Sequence, residues 1–375
     1  MLYPVTTVGS LPRTPALLRA LRARRRGDMT AQAFDAIADE AVLEALALQV
    51  EAGVDIVTDG EQRRDNFYSF VSEKLDGVQL MTLAEMLDIV EDKAGFEKIL
   101  QTLDVPAYSI SNPTCAGKVE RRQPLAVEEL RFLKQHTDKP VKVPLPGPYL
   151  LTRAMWVPEA SGKVYDSKEH LGDDIVRVLR GEAEELAAAG AEFIQFDEPV
   201  LTELVFSQGQ TRTFMCAALA ARNDPAEELE FAVDLINRVV KDLPVRTGIH
   251  VCRGNWSRDE STLLQGSYAP LRPYFDRMEV DQLVLEYATP RAGELSEFGD
   301  KELGLGCVNP RTDIIESAEE IAERVRDAGK LVDPKKIFLN PDCGFGTFSS
   351  RPMNETHAVK AKLQSLVEAA AILRG

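Results

Sequence analysis

Short β-branched runs alternate with long amphipathic stretches along almost the whole of this 375-residue chain. Such alternation marks βαβ units and a parallel sheet. Eight runs read as strands, at 5–10, 55–61, 141–148, 193–199, 246–252, 283–289, 303–309 and 337–344, each ending in a polar or glycine-bearing corner. Helical periodicity at 30–53, 173–190, 226–243, 317–329 and 355–375 separates most of them, and several of these stretches end in glycine, as helix C-termini prefer. Eight β/α units predict one (β/α)8 TIM barrel spanning 1–375. A doubly wound open sheet usually opens on a glycine-rich phosphate turn, and no G-x-G-x-x-G occurs here. The span 63–139 is too long for a single βα connection. It holds a helical pattern at 83–100 and a hairpin pattern at 105–120, and it reads as an insertion over the barrel mouth.

Charge narrows the partners. Sixty acidic against 44 basic residues give a net charge of −16, which argues against nucleic acid or an anionic membrane. The basic run at 19–28, RALRARRRGD, reads as a solvated helix end neutralised by the acids that follow. The first residues lack the basic start and apolar run of a signal peptide, and no apolar stretch approaches the ~20 residues of a membrane span. Five cysteines, at 115, 216, 252, 307 and 343, are odd in number and scattered, so the expected setting is a reducing cytoplasm without disulfides.

The functional face of a TIM barrel is the C-terminal end of its strands. Collected there are Ser10, the pair Asp59 and Glu61, the pair Asp197 and Glu198, then His250, Cys252, Glu286 and Cys343. His250 and Cys252, two residues apart on one strand, share a face about 6.6 Å apart along the backbone. An imidazole, two thiolates and a carboxylate form a four-coordinate, borderline-soft set that suits Zn²⁺. With a neutral histidine the centre would carry a net charge of about −1, a poor Lewis acid toward a carbonyl. It would still hold a bound thiol as an electron-rich thiolate. Alkylation of that thiolate is the fitting reaction, with Glu286, the hard ligand, the one to yield to the substrate sulfur.

These residues, in this order, resemble the catalytic barrel of the cobalamin-independent methionine synthases. TTVGSLPRT is similar to that barrel's opening, DGEQRRD to its second strand end and IQFDEP to its fourth, while IHVC, LEYAT and NPDCG are similar to its zinc segments. The resemblance covers nearly the whole chain. It implies zinc at His250, Cys252, Glu286 and Cys343. It also implies homocysteine held by its carboxylate at Ser10 and by its amine at Glu61 and Asp197. An ammonium between two carboxylates in a partly desolvated mouth is a charge-assisted pair. Full-length members carry a second, N-terminal barrel that helps grip the polyglutamate tail of methyl-tetrahydrofolate, and the reading expects no such half here. The family's proton-relay histidine after the seventh strand is replaced by Val308 and Asn309, and Trp156 lies nearest in sequence to its folate-contacting indole. The methyl donor is accordingly expected to be 5-methyltetrahydrofolate or a methylcorrinoid protein.

Three other readings stand beside this one. Epoxyalkane:coenzyme M transferase is similar in length and in its zinc–thiolate strategy. Its sulfonate would need a cationic pocket, for which Arg63 and Arg64 are the anion-binding candidates, although ion pairs with nearby acids are their plainer role. A non-catalytic zinc protein would close the shell with four protein ligands, but structural zinc usually joins ligands close in sequence, and these run from 250 to 343. A metal-free decarboxylase on a related barrel would leave both cysteines unexplained. Cys115 reads as structural, and His136, His170 and His357 as surface residues.

Overall fold

The computed structural model describes residues 1–89, 111–206, 224–349 and 352–375. Its strands are β1 (Leu75–Thr82), β2 (Ser111–Arg121), β3 (Lys142–Pro146), β4 (Phe193–Asp197), β5 (Arg246–Val251), β6 (Gln282–Leu285), β7 (Glu302–Val308) and β8 (Ile337–Pro341). β3 to β8 pair in sequence order as one parallel sheet. Two short segments close that sheet into a ring. Val5 bridges Leu339 of β8, Thr6 bridges Ile56, and Val57 bridges Val141 beside β3, all in parallel. The chain is thus a (β/α)8 barrel whose first two staves are single bridges rather than full strands.

The reason for those short staves is local. Beyond Thr6 and Val57 the backbone leaves the ladder to build the mouth. Thr58 instead bonds to a helix side chain: its N–H donates to Gln49 Oε1 at 2.9 Å, and its carbonyl accepts from Gln49 Nε2 at 2.8 Å. Gln49, on the Ala31–Ala52 helix, stands in for the missing strand neighbour. β3 to β8 are buried along nearly their whole length, as parallel strands covered on both faces must be. Inside the ring Val8, Phe193 and Val284 form a small apolar plug.

The helices fall where the periodicity puts them. Thr30 caps Ala31–Ala52, which ends at Gly53 with φ 87°, and Ser317 with Glu320 forms a capping box on Ala318–Ala328. Lys168–Ala188, Pro225–Val240 and Thr356–Arg374 complete the predicted set. No helix among the described residues is long and apolar enough to cross a membrane.

The insertion differs in detail from expectation. Val127–Lys134 packs on the Lys168–Ala188 helix and leads into β3, so this end of the 63–139 span is barrel rather than insertion. The hairpin is not contained within 105–120. Residues 111–121 form one long strand, β2, whose antiparallel partner is β1, upstream of that stretch. Residues 105–110 and the far end of the 83–100 helical pattern lie outside the described residues. The basic run behaves as a solvated helix end: Arg24 pairs with Glu73, Arg26 with Asp28 and Arg25 with Ser111.

Candidate active site

At the mouth, β5 and the corner after β8 bring His250, Cys252 and Cys343 together. All three are buried, and their ligand atoms lie within 4.8 Å of one another. His250 Nδ1 lies 3.0 Å from the carbonyl of Val284, an acceptor only, so that nitrogen carries the proton. Its other nitrogen, Nε2, is buried and meets no hydrogen-bond partner among the described residues. A histidine tied by one nitrogen to a backbone carbonyl, with the other facing two thiols, is the usual arrangement of a metal ligand. Without metal, the Cys343 hydrogen bond, aided by His250 and opposed by burial, pulls Cys252 down to about 5. Burial lowers His250, but Cys252, Asp197 and Glu286 outweigh it and hold the ring up at about 9. Cys343 moves far up because it donates to Cys252 and is buried. The cluster therefore holds protons where a cation would sit, and it fits a divalent metal.

Glu286, the fourth predicted donor, is buried in the same mouth but is held elsewhere. Arg291 donates to both its oxygens at 2.9 and 3.1 Å, Arg311 to Oε1 at 3.1 Å and the Arg253 backbone to Oε2 at 2.8 Å. Asp342 shares Arg311 and accepts the N–H groups of Tyr287 and Ala288. Three arginines thus surround two carboxylates one residue or less from metal-ligand positions. Asn255 ties the Gly344 carbonyl at 2.7 Å and fixes the loop that carries Cys343.

The predicted substrate residues lie at the same mouth. Ser10 is buried against the Cys343–Gly344 corner: a Cβ on Gly344 would fall 2.1 Å from Ser10 Oγ, so only glycine fits there. Glu61 is buried with φ 53°, a left-handed conformation uncommon for a non-glycine residue. Arg13 holds it so, donating to the Glu61 and Arg64 carbonyls at 2.8 and 3.0 Å, while Asp59 accepts the Glu61 N–H at 2.9 Å. Glu61 Oε1 would be 2.3 Å from a Cβ on Gly9, and its Oε2 is buried with no hydrogen-bond partner among the described residues. Burial pushes Glu61 up to about 7, with Asp197 adding to the rise and Arg64 opposing it. Asp197 rises to about 6, again through burial, against His250 and a 2.8 Å hydrogen bond from Gln195. Two buried carboxylates, both pushed up by burial and one raised further by the other, are a ready receptor for a cation.

Other expected residues take structural places. Glu198 caps the Pro148–Met155 helix, accepting from the Tyr149 and Leu150 N–H groups at 2.7 and 2.9 Å. Arg63 pairs with Asp39 and lies over the Phe132 ring. Arg64 is buried, bonded to Glu129 and to the Pro144 carbonyl, both at 2.9 Å. Cys115 is buried in β2, Asn309 bonds to Glu260, and His136, His170 and His357 are exposed. Cys216 lies outside the described residues. Sequence reasoning missed Arg13, Gln195, Lys142, Asn255 and the three arginines. A signal existed for Gln195, which shares its strand face with Asp197, and for Lys142, a lone charge inside an apolar strand.

Comparison with known proteins decides the family. The profile described as "Cobalamin-independent synthase, Catalytic domain" matches residues 3–372. The chain belongs to that family. A methionine synthase of Thermococcus kodakarensis is 30% identical over 93% of this chain and 89% of its own length. One of Saccharolobus solfataricus is 29% identical over 100% and 95%. Among solved structures, a B12-independent methionine synthase from Shewanella sp. W3-18-1, in complex with selenomethionine, superposes with a TM-score of 0.75. It is 26% identical and covers 100% of this chain and 98% of its own. As a member of this family the chain is an enzyme, a methyltransferase.

Proposed function

We propose that this enzyme transfers a methyl group to the thiol of homocysteine, forming methionine, with zinc at His250, Cys252 and Cys343. Glu286 is the fourth donor of the proposed set. The observation that carries the reading is the buried, partnerless His250 Nε2 within reach of two thiols, beside the Glu61–Asp197 carboxylate pair. Zinc bound there would supply a Lewis acid that keeps the substrate sulfur a thiolate near neutral pH.

The chain's own residues do the rest. Glu61 and Asp197 bind the ammonium of the amino acid, and Ser10 takes its carboxylate. Arg253, Arg291 and Arg311 hold the Glu286 carboxylate and can receive it whenever it is off the metal. Burial of these groups excludes water; the sulfur attacks the methyl carbon as the bond from that carbon to the donor breaks, the electron pair leaving with the folate nitrogen, which takes up a proton, or with the corrinoid cobalt. The methyl donor of this reading is 5-methyltetrahydrofolate or a methylcorrinoid protein. A sulfonate thiol gains no support, because Arg63 and Arg64 are committed to Asp39 and Glu129.

The test is to load the protein with one equivalent of zinc in weak buffer, then titrate with homocysteine and separately with coenzyme M. Release of one proton and gain of one zinc–sulfur bond by X-ray absorption with homocysteine alone is expected. The same response to coenzyme M alone would replace this reading with the epoxide-opening one.

A further inference from the structure

Beneath the mouth lies a buried lysine that the proposed reaction does not use. Lys142 opens β3 and is 1% exposed; among the described residues no carboxylate is hydrogen-bonded or ion-paired to it. Its ammonium donates instead to Gln195 Oε1 at 3.1 Å and lies 5.4 Å from the centre of the Phe193 ring. Gln195 Nε2 in turn donates to Asp197 Oδ1 at 2.8 Å and to the Val8 carbonyl at 3.0 Å. Gln195 is fully buried, and Asp197 stands two residues further along the same strand face.

The orientation of the amide is dictated from both sides. An ammonium can only donate, and a carboxylate and a carbonyl can only accept. Reversing the amide would set its NH₂ against the ammonium and its oxygen against two other oxygens. Lys142, Asp197 and the Val8 carbonyl thus agree on one orientation, and Lys142 anchors its oxygen end. A buried ammonium without a carboxylate is expensive, and burial pulls Lys142 down to about 7 against Asp197 and Glu61. A merely structural position would be filled at lower cost by an apolar side chain.

We propose that Lys142 is a positioning residue that, through Gln195, fixes the Asp197 carboxylate for the ammonium of the substrate. This rests on the amine-binding role given to Asp197 under the proposed function. Without Lys142 the buried Gln195 Oε1 loses its donor, and the amide shifts toward another while its NH₂ is still drawn to Asp197 and Val8. That shift loosens the hydrogen bond to Asp197, and the carboxylate is no longer held in one rotamer. The effect falls on the amine end of the substrate and leaves the sulfur end untouched.

The experiment compares homocysteine with 4-mercaptobutanoate, the same thiol acid without the amine, by calorimetry on the zinc-loaded full chain. The parent should prefer homocysteine, and Asp197→Asn should remove most of that preference. Lys142→Met should cut the preference about tenfold while 4-mercaptobutanoate affinity and zinc content stay as in the parent. In the Asp197→Asn background, Lys142→Met should cost nothing further, because it acts through Asp197. Gln195→Met removes the middle link and should reproduce the loss even if Lys142→Met fails to fold. Equal weakening of both thiols by Lys142→Met, or full retention of the preference in both variants, would overturn the proposal and leave the role of Asp197 standing. A parent without any preference would overturn both.

Discussion

At the scale of single residues, Glu61 combines a left-handed backbone with a buried carboxylate, and each is unfavourable unless something uses it. Its pKa rises from an ordinary 4.5 to about 7, so between those values the folded state holds the proton better than the unfolded chain. Stability therefore falls as pH rises through that window. Glu61→Gln removes the burden: the variant should be more stable than the parent at pH 8 by up to ~3 kcal/mol, with the difference mostly gone near pH 5. Urea denaturation at the two pH values reads this. Homocysteine affinity should meanwhile drop at least about tenfold, the loss of one charge-assisted contact. Equal stability of variant and parent at both pH values would mean that the carboxylate is comfortable and the inference of a poised receptor is wrong. Arg64 shows the limit of residue-level reading. Beside Glu61 in sequence, it suggested an anion pocket; its actual partner is Glu129, 65 residues away, and nothing local announces that. Arg64→Met should leave Glu129 buried and unpaired and cost about 3–5 kcal/mol, whereas Arg63→Ala should change stability by less than about 1 kcal/mol. Both are read by the denaturation midpoint.

At the scale of elements, periodicity predicted well wherever a pattern repeats, and poorly where one side chain replaces a pattern. The helices and β3 to β8 are legible because their burial follows 3.6- and 2-residue periods or an unbroken apolar run. The first two staves are legible as strands yet exist as single bridges; in the second, Gln49 supplies at Thr58 the hydrogen bonds a neighbouring strand would have made. That substitution joins residues nine apart through a helix side chain, which no strand pattern encodes. Gln49→Leu would leave the Thr58 N–H and carbonyl buried and unpaired, costing about 2–4 kcal/mol. Amide exchange at Thr58 should quicken far more than at Ile194 on fully paired β4; uniform quickening would mean that Gln49 merely packs. The His–Cys cluster was legible for a related reason. His250, Cys252 and Cys343 sit where strands end, and strand ends converge in a barrel. The three arginines around Glu286 were not, since they lie on loops whose paths the strand pattern leaves open.

At the scale of the whole molecule, the barrel is strongest from β3 to β8 and weakest at its seam, where Val5, Thr6, Ile56 and Val57 close the ring by lone bridges. The proposed metal bears directly on that seam. His250 lies on β5, in the well-paired arc, with Cys252 just after it, and Cys343 follows β8, whose Leu339 makes the closing bridge to Val5. The loop after Cys343 also carries Phe345, whose N–H donates to the Ser10 carbonyl at 2.9 Å, and Ser349, whose N–H donates to the Asp65 carbonyl at 2.8 Å. Metal that fixes Cys343 therefore fixes the corners holding Ser10 and Glu61, and substrate readiness and barrel closure become one property. Binding only to the folded state, zinc at a thousandfold excess over its Kd should add about 4 kcal/mol of stability. Stripping it with a chelator should lower Tm and speed amide exchange first at Thr6 and Ile56, with little change at Ile249 in β5 until global unfolding. Cys343→Ser should behave like the stripped parent and be indifferent to zinc. A Tm unmoved by complete loss of metal would break the link between metal site and seam, and would make the mouth a preformed receptor that merely accepts its ion.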